Sequence, residues 1–234
     1  MSHASRITRP ALISGAGSGI GRAVAVELGR RGHPLVLLGR REEPLRATLA
    51  EAGDNGRVVA VDVRDAGIVD ALVESLPQAL SPAIVVPAAG VARVAPFVDL
   101  TDGQWRESLD TNLLGSLHLY RAFLRRRAAD GGHLFAILSI AARRGFPDWS
   151  AYAASKWALR GAFECLREEL RGQPVRLTSI YAGATSSPLW DDVGGTWDHE
   201  AMIAPEEIAR SVGWALDSAA AVEEVVLRPP GGDL

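Results

Sequence analysis

The chain has 234 residues, 47% of them hydrophobic and 23% charged, with a formal net charge of −3. Such usage builds an ordinary globular protein with enough core for one domain over 1–234, and the slight negative balance excludes a general affinity for nucleic acid. A lone cysteine, Cys165, excludes an internal disulfide framework and a multi-cysteine metal site, while His3, His33, His118, His133 and His199 are too scattered to nominate metal ligands.

No stretch approaches the ~18 apolar residues of a membrane span, and residues 1–10 lack the apolar centre of a signal peptide. A soluble, cytoplasmic protein with no membrane partner is the expectation. Arg125, Arg126 and Arg127 read as a solvated helix end, and Cys165, between Phe163 and Leu166, as a small packed side chain.

Short runs of leucine and β-branched residues alternate with longer amphipathic stretches, the pattern of a doubly wound α/β fold whose parallel strands are covered on both faces. The first strand, 11–14, runs into Ser14-Gly15-Ala16-Gly17-Ser18-Gly19-Ile20-Gly21 and a helix beginning near Ile20. Gly15, Gly19 and Gly21 permit a tight turn that brings backbone close to a pyrophosphate at the helix N-terminus, with Ser18 and Ile20 beside it. The spacing departs from G-x-G-x-x-G, and glycines at such turns also arise for steric reasons.

The second strand, 35–38, ends near Arg40 and Arg41, and Arg40 lies nineteen residues after Gly21. There an acidic residue would bond a ribose 2′-hydroxyl and an arginine a 2′-phosphate, so the pair favours NADP(H), with NAD(H) possible, although two arginines also suit a solvated strand end. A helix near Glu42, a third strand at 58–61, the dipeptide Asp62-Val63 and a helix near Ala66 follow. The fourth strand, 83–86, leads to Pro87-Ala88-Ala89-Gly90, and a helix beginning near Asp102 carries Asn112.

Strand five, 134–139, ends on Ser139, and thirteen residues later the helix from Ser150 presents Tyr152 and Lys156. Four apart on one helix face, a phenol and an ammonium share a site suited to proton transfer to a carbonyl oxygen. At about 4 Å and an effective dielectric near 20 their attraction reaches roughly 4 kcal/mol, enough to draw the Tyr152 pKa down from ~10 towards a working range. Taken singly, each residue has a plainer use: a Tyr-x-x-x-Lys pair occurs on many helices, and Ser139 and Asn112 suit local backbone capping. Strand six, 175–180, is followed by a long Gly/Ser/Trp/Asp-containing stretch, about 182–204, whose length and place at the strands' carboxyl ends mark a ligand loop. A helix near Pro205 and a last strand at 224–227 complete the order.

Together these residues resemble the classical short-chain dehydrogenase/reductase (SDR) family along almost the whole chain. The resemblance implies a single Rossmann-like domain with a sheet of about seven parallel strands, a nicotinamide cofactor and a small-molecule carbonyl or alcohol substrate. It implies that Asp62 and Val63 contact adenine and that Asn112, Ser139, Tyr152 and Lys156 form a catalytic tetrad. In that family pattern Tyr152 donates the proton in reduction and accepts it in oxidation. Ser139 holds the substrate oxygen, Lys156 binds the nicotinamide ribose and tunes Tyr152, and Asn112 supports a water-linked proton relay. Where the family usually has Asn-Asn-Ala-Gly this chain has Pro87-Ala88-Ala89-Gly90, with Ala89 and Gly90 still at the cofactor. Where the family has Pro-Gly it has Ala182-Gly183, followed by Thr185, which matches a contact to the nicotinamide carboxamide.

Ala141, Phe146, Trp149, Leu189 and Trp190 are candidates for a pocket wall fitting an apolar or aromatic carbonyl compound, although Trp149 and Trp190 equally suit a packed lid or interface. The helices bearing Asn112 and Tyr152 resemble those that pair in family dimers, which implies a homo-oligomer, dimer or tetramer. The leading expectation is NADP(H)-dependent interconversion of a carbonyl and a secondary alcohol. The alternatives are an NAD-dependent alcohol dehydrogenase of the same family and a non-catalytic NADP(H)-sensing protein, for which Tyr152 would be superfluous.

Overall fold

The computed structural model describes residues 8–127 and 130–232. Strands β1 (Ala11–Ser14), β2 (Leu35–Gly39), β3 (Gly56–Ala60), β4 (Ile84–Pro87), β5 (Gly132–Ser139), β6 (Val175–Ala182) and β7 (Glu224–Leu227) form one parallel sheet in the order β3-β2-β1-β4-β5-β6-β7. Side chains alternate across each strand, so Leu12, Val36 and Leu38 face one side while Ala11, Ile13, Leu35 and Leu37 face the other. The first side is covered by α3 (Ala66–Ser75), α5 (Gly115–Arg127) and α6 (Ser150–Glu169) through Val69, Leu119, Phe123, Leu159 and Phe163. The second is covered by α1 (Gly19–Arg30), α2 (Glu42–Glu51) and α7 (Pro205–Asp217) through Val24, Leu28, Leu45, Ile208 and Val212. With each such side chain contributing about 1.5–3 kcal/mol on burial, two apolar layers explain why the inner strands β1, β2 and β4 read as nearly continuous apolar runs.

Strand order reverses at β1. The chain steps outward from β1 to β2 and β3, then returns to β4 on the other side, with Ser14 opposite Pro87. The crevice outside the carboxyl ends of β1 and β4 is where doubly wound sheets take ligands.

The helical stretch expected from Asp102 is divided. A capping box, in which Thr101 accepts from the Gln104 N–H while the Gln104 side chain accepts from the Thr101 N–H, starts α4 (Asp102–Ser108). One π-helical turn, Leu109–Leu114, then carries the chain into α5, and Asn112 lies inside that turn. Wider turns of this kind are rare and concentrate at functional sites.

Two smaller expectations are corrected. Cys165 is exposed, because α6 turns its neighbour Phe163 towards the core and Cys165 away from it. Arg126 is not simply solvated: its guanidinium donates to the Val73, Glu74 and Leu76 carbonyls at the end of α3, while Arg125 pairs with Asp70 at 2.5 Å. Arg126 thereby satisfies carbonyls that the last turn of a helix leaves without partners. Among the described residues no helix is long and apolar enough to cross a membrane.

Candidate active site

The carboxyl ends of the strands open onto a cavity of about 450 Å³. Its walls bring together Gly15, Ser18, Gly19 and Ile20 from the first turn, Arg40, Arg41, Asp62 and Val63 from the ends of β2 and β3, and Ala89 and Gly90 after β4. Ser139, Tyr152, Lys156, Gly183 and Thr185 lie in the same wall, as do Ala141, Phe146, Trp149, Leu189 and Trp190. Residues more than a hundred positions apart thus share one space. Gly21 and Asn112 stand behind the cavity surface rather than in it.

The first turn is built around absent side chains. Gly15 has φ +64°, and a Cβ there would sit 2.6 Å from the Ala89 nitrogen; a Cβ on Gly21 would sit 2.3 Å from the Gly15 oxygen. Both distances are far inside van der Waals contact, so the turn can close only with glycine at these positions. Beyond it, Ser18 caps α1 without a side-chain hydrogen bond, and the first turn of the helix holds no acidic residue. The N-terminal N–H groups and the positive end of the helix dipole therefore face the cavity uncompensated.

Just past the carboxyl end of β2, Arg40 and Arg41 are exposed and form no ion pair with a described residue. Asp62 does: its carboxylate accepts from the Arg64 guanidinium at 2.5–3.0 Å and from the Arg64 N–H at 3.0 Å. The Arg64 side-chain hydrogen bond holds the Asp62 carboxyl below its usual range, against the opposing effect of burial.

The polar centre is assembled from β5, the π-turn and α6. Lys156 is buried, and its Nζ donates to the Ile137 carbonyl at 2.9 Å. The Ser139 hydroxyl accepts from the Ala141 N–H at 3.1 Å, which fixes it in the turn that leaves β5. Asn112 Oδ1 accepts from the Val91 N–H at 2.8 Å, and its Nδ2 donates to the Val91 carbonyl and to Ser155 Oγ, each at 2.9 Å. Its side chain therefore pins the loop after β4 to α6 and makes no hydrogen bond to Tyr152 or Lys156. Its own carbonyl accepts from the Ser116 hydroxyl at 2.9 Å.

Electrostatics differ from the simple ion-pair expectation. Burial pushes the Tyr152 phenol up to about 12, with a hydrogen bond to Ser139 acting in the opposite direction, and burial pushes Lys156 down to about 8. Lys156 Nζ lies 5.6 Å from the Tyr152 ring centroid. Loss of hydration opposes both charged forms and is the largest cause of each shift. In this state the Tyr152 phenol holds its proton at neutral pH.

A model of the short chain dehydrogenase family matches residues 9–196. The chain belongs to the short-chain dehydrogenase family. It is accordingly an oxidoreductase. Sepiapterin reductase of Chlorobaculum tepidum is 35% identical over 237 residues, covering 95% of this chain and 97% of the relative. An uncharacterized oxidoreductase of Staphylococcus haemolyticus is 34% identical over 228 residues, covering 94% and 97%. Among solved structures, an alcohol dehydrogenase from the archaeon Thermococcus sibiricus, complexed with 5-hydroxy-NADP, is 27% identical with a TM-score of 0.86, covering 95% of this chain and 97% of that one. A metagenomic short-chain oxidoreductase in complex with NADP is 30% identical with a TM-score of 0.82, covering 94% and 96%.

Within this short-chain dehydrogenase, several lining residues carried no local motif to announce them. Arg64 joins the arginines at the Asp62 end of the cavity. Glu107, Asp192 and Trp197 line it as well, and Arg93 holds both acids, Glu107 at 2.7 and 2.9 Å and Asp192 at 3.3 Å. The 182–204 stretch is anchored at both ends: the Ile203 N–H donates to the Ala184 carbonyl and the Ser186 N–H to the Ile203 carbonyl, each at 2.9 Å. Within it, Pro188–Asp192 forms a short 3-10 turn. Its length and its place at the carboxyl ends of the strands marked it as a ligand loop, but no local motif singled out Asp192 or Trp197.

Proposed function

We propose that this protein catalyses NADP(H)-dependent interconversion of a carbonyl and a secondary alcohol, with Tyr152 as general acid and base. The observation that carries the reading is the convergence of Ser139, Tyr152 and Lys156 on one wall of a cavity whose far end is the glycine turn and the α1 N-terminus. The glycine cradle and uncapped helix suit a pyrophosphate, and Arg40 and Arg41 suit a ribose 2′-phosphate. NADP and 5-hydroxy-NADP in the two solved relatives support the same choice. Gly15, Ser18, Gly19 and Ile20 would hold the diphosphate, Asp62 and Val63 the adenine side, and Gly183 and Thr185 the nicotinamide side.

When bound, the cofactor would supply hydride chemistry, the two electrons that reduction of a carbonyl carbon requires. Ser139 Oγ donates a hydrogen bond to the carbonyl oxygen, orienting it towards Tyr152. The Tyr152 phenol, kept protonated by its surroundings, gives that oxygen its proton as negative charge develops there. Lys156, protonated below about pH 8, stabilises the phenolate left behind until solvent reprotonates it. Asn112 is a positioning residue: through Val91 and Ser155 it holds the loop after β4 against the helix that presents Tyr152. Exposed Leu114 at the end of the π-turn and exposed Trp157 on α6 support a homo-oligomer.

The test is product analysis. Incubation with NADPH and a panel of aldehydes, ketones, diketones and quinones should yield an alcohol in equal molar amount to the NADPH consumed. Tight NADPH binding with no product across the panel would favour the sensing protein instead.

A further inference from the structure

Three indoles run outward from Tyr152 along the cavity. Trp149 meets the Tyr152 ring edge-on at 5.4 Å and 76°, Trp190 meets Trp149 at 5.6 Å and 64°, and Trp197 leans on Trp190 at 4.6 Å and 52°. All three line the same space as Ser139 and Tyr152. They come from separate segments, the turn before α6 and the 182–204 loop.

Packing alone does not account for them. Trp190 is the buried member, and its Nε1 donates to the Thr185 carbonyl at 2.8 Å; Trp197 Nε1 donates to the Gly194 carbonyl at 2.7 Å. With these two N–H groups spent on loop backbone, the surface that Trp190 and Trp197 offer the cavity is apolar π-face and edge. Trp149 and Trp197 stay only partly buried, so ring surface remains for a ligand. The Trp190 part of the wall is anchored: Arg93 ties Asp192, two residues beyond Trp190, to Glu107 of α4. A wall that needs no ordering on binding delivers more of its contact energy as affinity.

We infer that Trp149, Trp190 and Trp197 form a recognition wall selecting carbonyl compounds that carry a planar aromatic ring next to the carbonyl. This deepens the reductase reading and rests on it. With the carbonyl oxygen between Ser139 and Tyr152, the substituent on the carbonyl carbon lies against Trp149. A flat aryl ring there gains edge or offset-stacked contact that a puckered saturated ring of the same carbon skeleton cannot reproduce, a preference of roughly two- to tenfold for each ring pair.

The test compares 1-phenylethanone with 1-cyclohexylethanone on the wild type, Trp149→Leu and Trp197→Leu. kcat/KM with NADPH is measured, alongside the dissociation constant of each ketone by ligand-observed NMR. The wild type should favour the phenyl ketone by both measures, and Trp149→Leu should bring the ratio close to one. Trp197→Leu, at the outer end of the wall, provides a second variant should Trp149→Leu fail to fold, and it should also lower the ratio. Equal ratios in the wild type and variants, or no preferential binding of the phenyl ketone, overturn the wall. Preferential binding that is lost in Trp149→Leu, with neither ketone reduced, keeps the wall and overturns the reductase reading.

Discussion

His133 makes the fold sensitive to acid in a way that can be isolated. It lies 3% exposed on β5, stacked on Phe135 with ring centroids 4.1 Å apart. Its Nε2 is 2.7 Å from Thr178 Oγ1, and that hydroxyl donates its only proton to the Val222 carbonyl. The Nε2–H must therefore be the donor to Thr178, which leaves Nδ1 as a buried nitrogen without a partner. Protonating Nδ1 would bury a cation and a donor with no acceptor, and burial, with the nearby Arg176 charge adding to it, pushes the pKa down to about 3.

An unfolded histidine titrates near 6.5, so between there and about 3 the unfolded chain binds the extra proton and stability falls as pH falls. From pH 7 to pH 5 this one residue costs about 2 kcal/mol, set by the unfolded pKa because the folded imidazole stays neutral throughout. Urea unfolding at the two pH values, for the wild type and His133→Leu, separates this effect from carboxylates common to both, such as Asp62. The variant should lose less stability on acidification by about 2 kcal/mol. An identical loss in both proteins would show that His133 titrates normally when folded and would refute the assignment of a bare Nδ1. His133→Gln serves the same comparison if the leucine variant does not accumulate.

Other consequences bear on the site. Gly21→Ala places a methyl against the Gly15 oxygen and should weaken NADPH binding at least tenfold or so while costing about 1–3 kcal/mol of stability, measured by titration calorimetry and urea unfolding; unchanged binding would contradict the cradle. Arg40→Ala should weaken NADPH binding far more than NADH binding, and equal losses would remove the 2′-phosphate assignment. Because Lys156 is held near 8, kcat/KM for carbonyl reduction should fall as pH rises through about 8, and Lys156→Arg should abolish that limb; a first limb near 10 in the wild type would count against it.

The strands were legible because a sheet covered on both faces requires apolar residues at nearly every strand position, as at Leu35–Gly39. The site was legible because glycines, a serine, a tyrosine and a lysine each answer to local geometry and keep their order along the chain. What depended on tertiary contact was not. The π-turn around Asn112 adds no apolar signature, and the spread of that side chain between Val91 and Ser155 appears only once the loop after β4 meets α6. Arg126 looks like any surface arginine until the end of α3 is placed beside it. Motif spacing placed Lys156 near Tyr152 but could not weigh its attraction against the loss of hydration that dominates both groups. Trp197 joined the cavity through the path of a loop that has no periodicity to read.

In the proposed reaction Tyr152 delivers the proton in a carbonyl reduction driven by NADPH. Steady-state reduction by the wild type and Tyr152→Phe, with NADPH affinity measured on the same preparations, tests it most directly. The variant should keep its affinity for NADPH and lose about 100-fold or more in kcat/KM. Comparable turnover by the two proteins would contradict it.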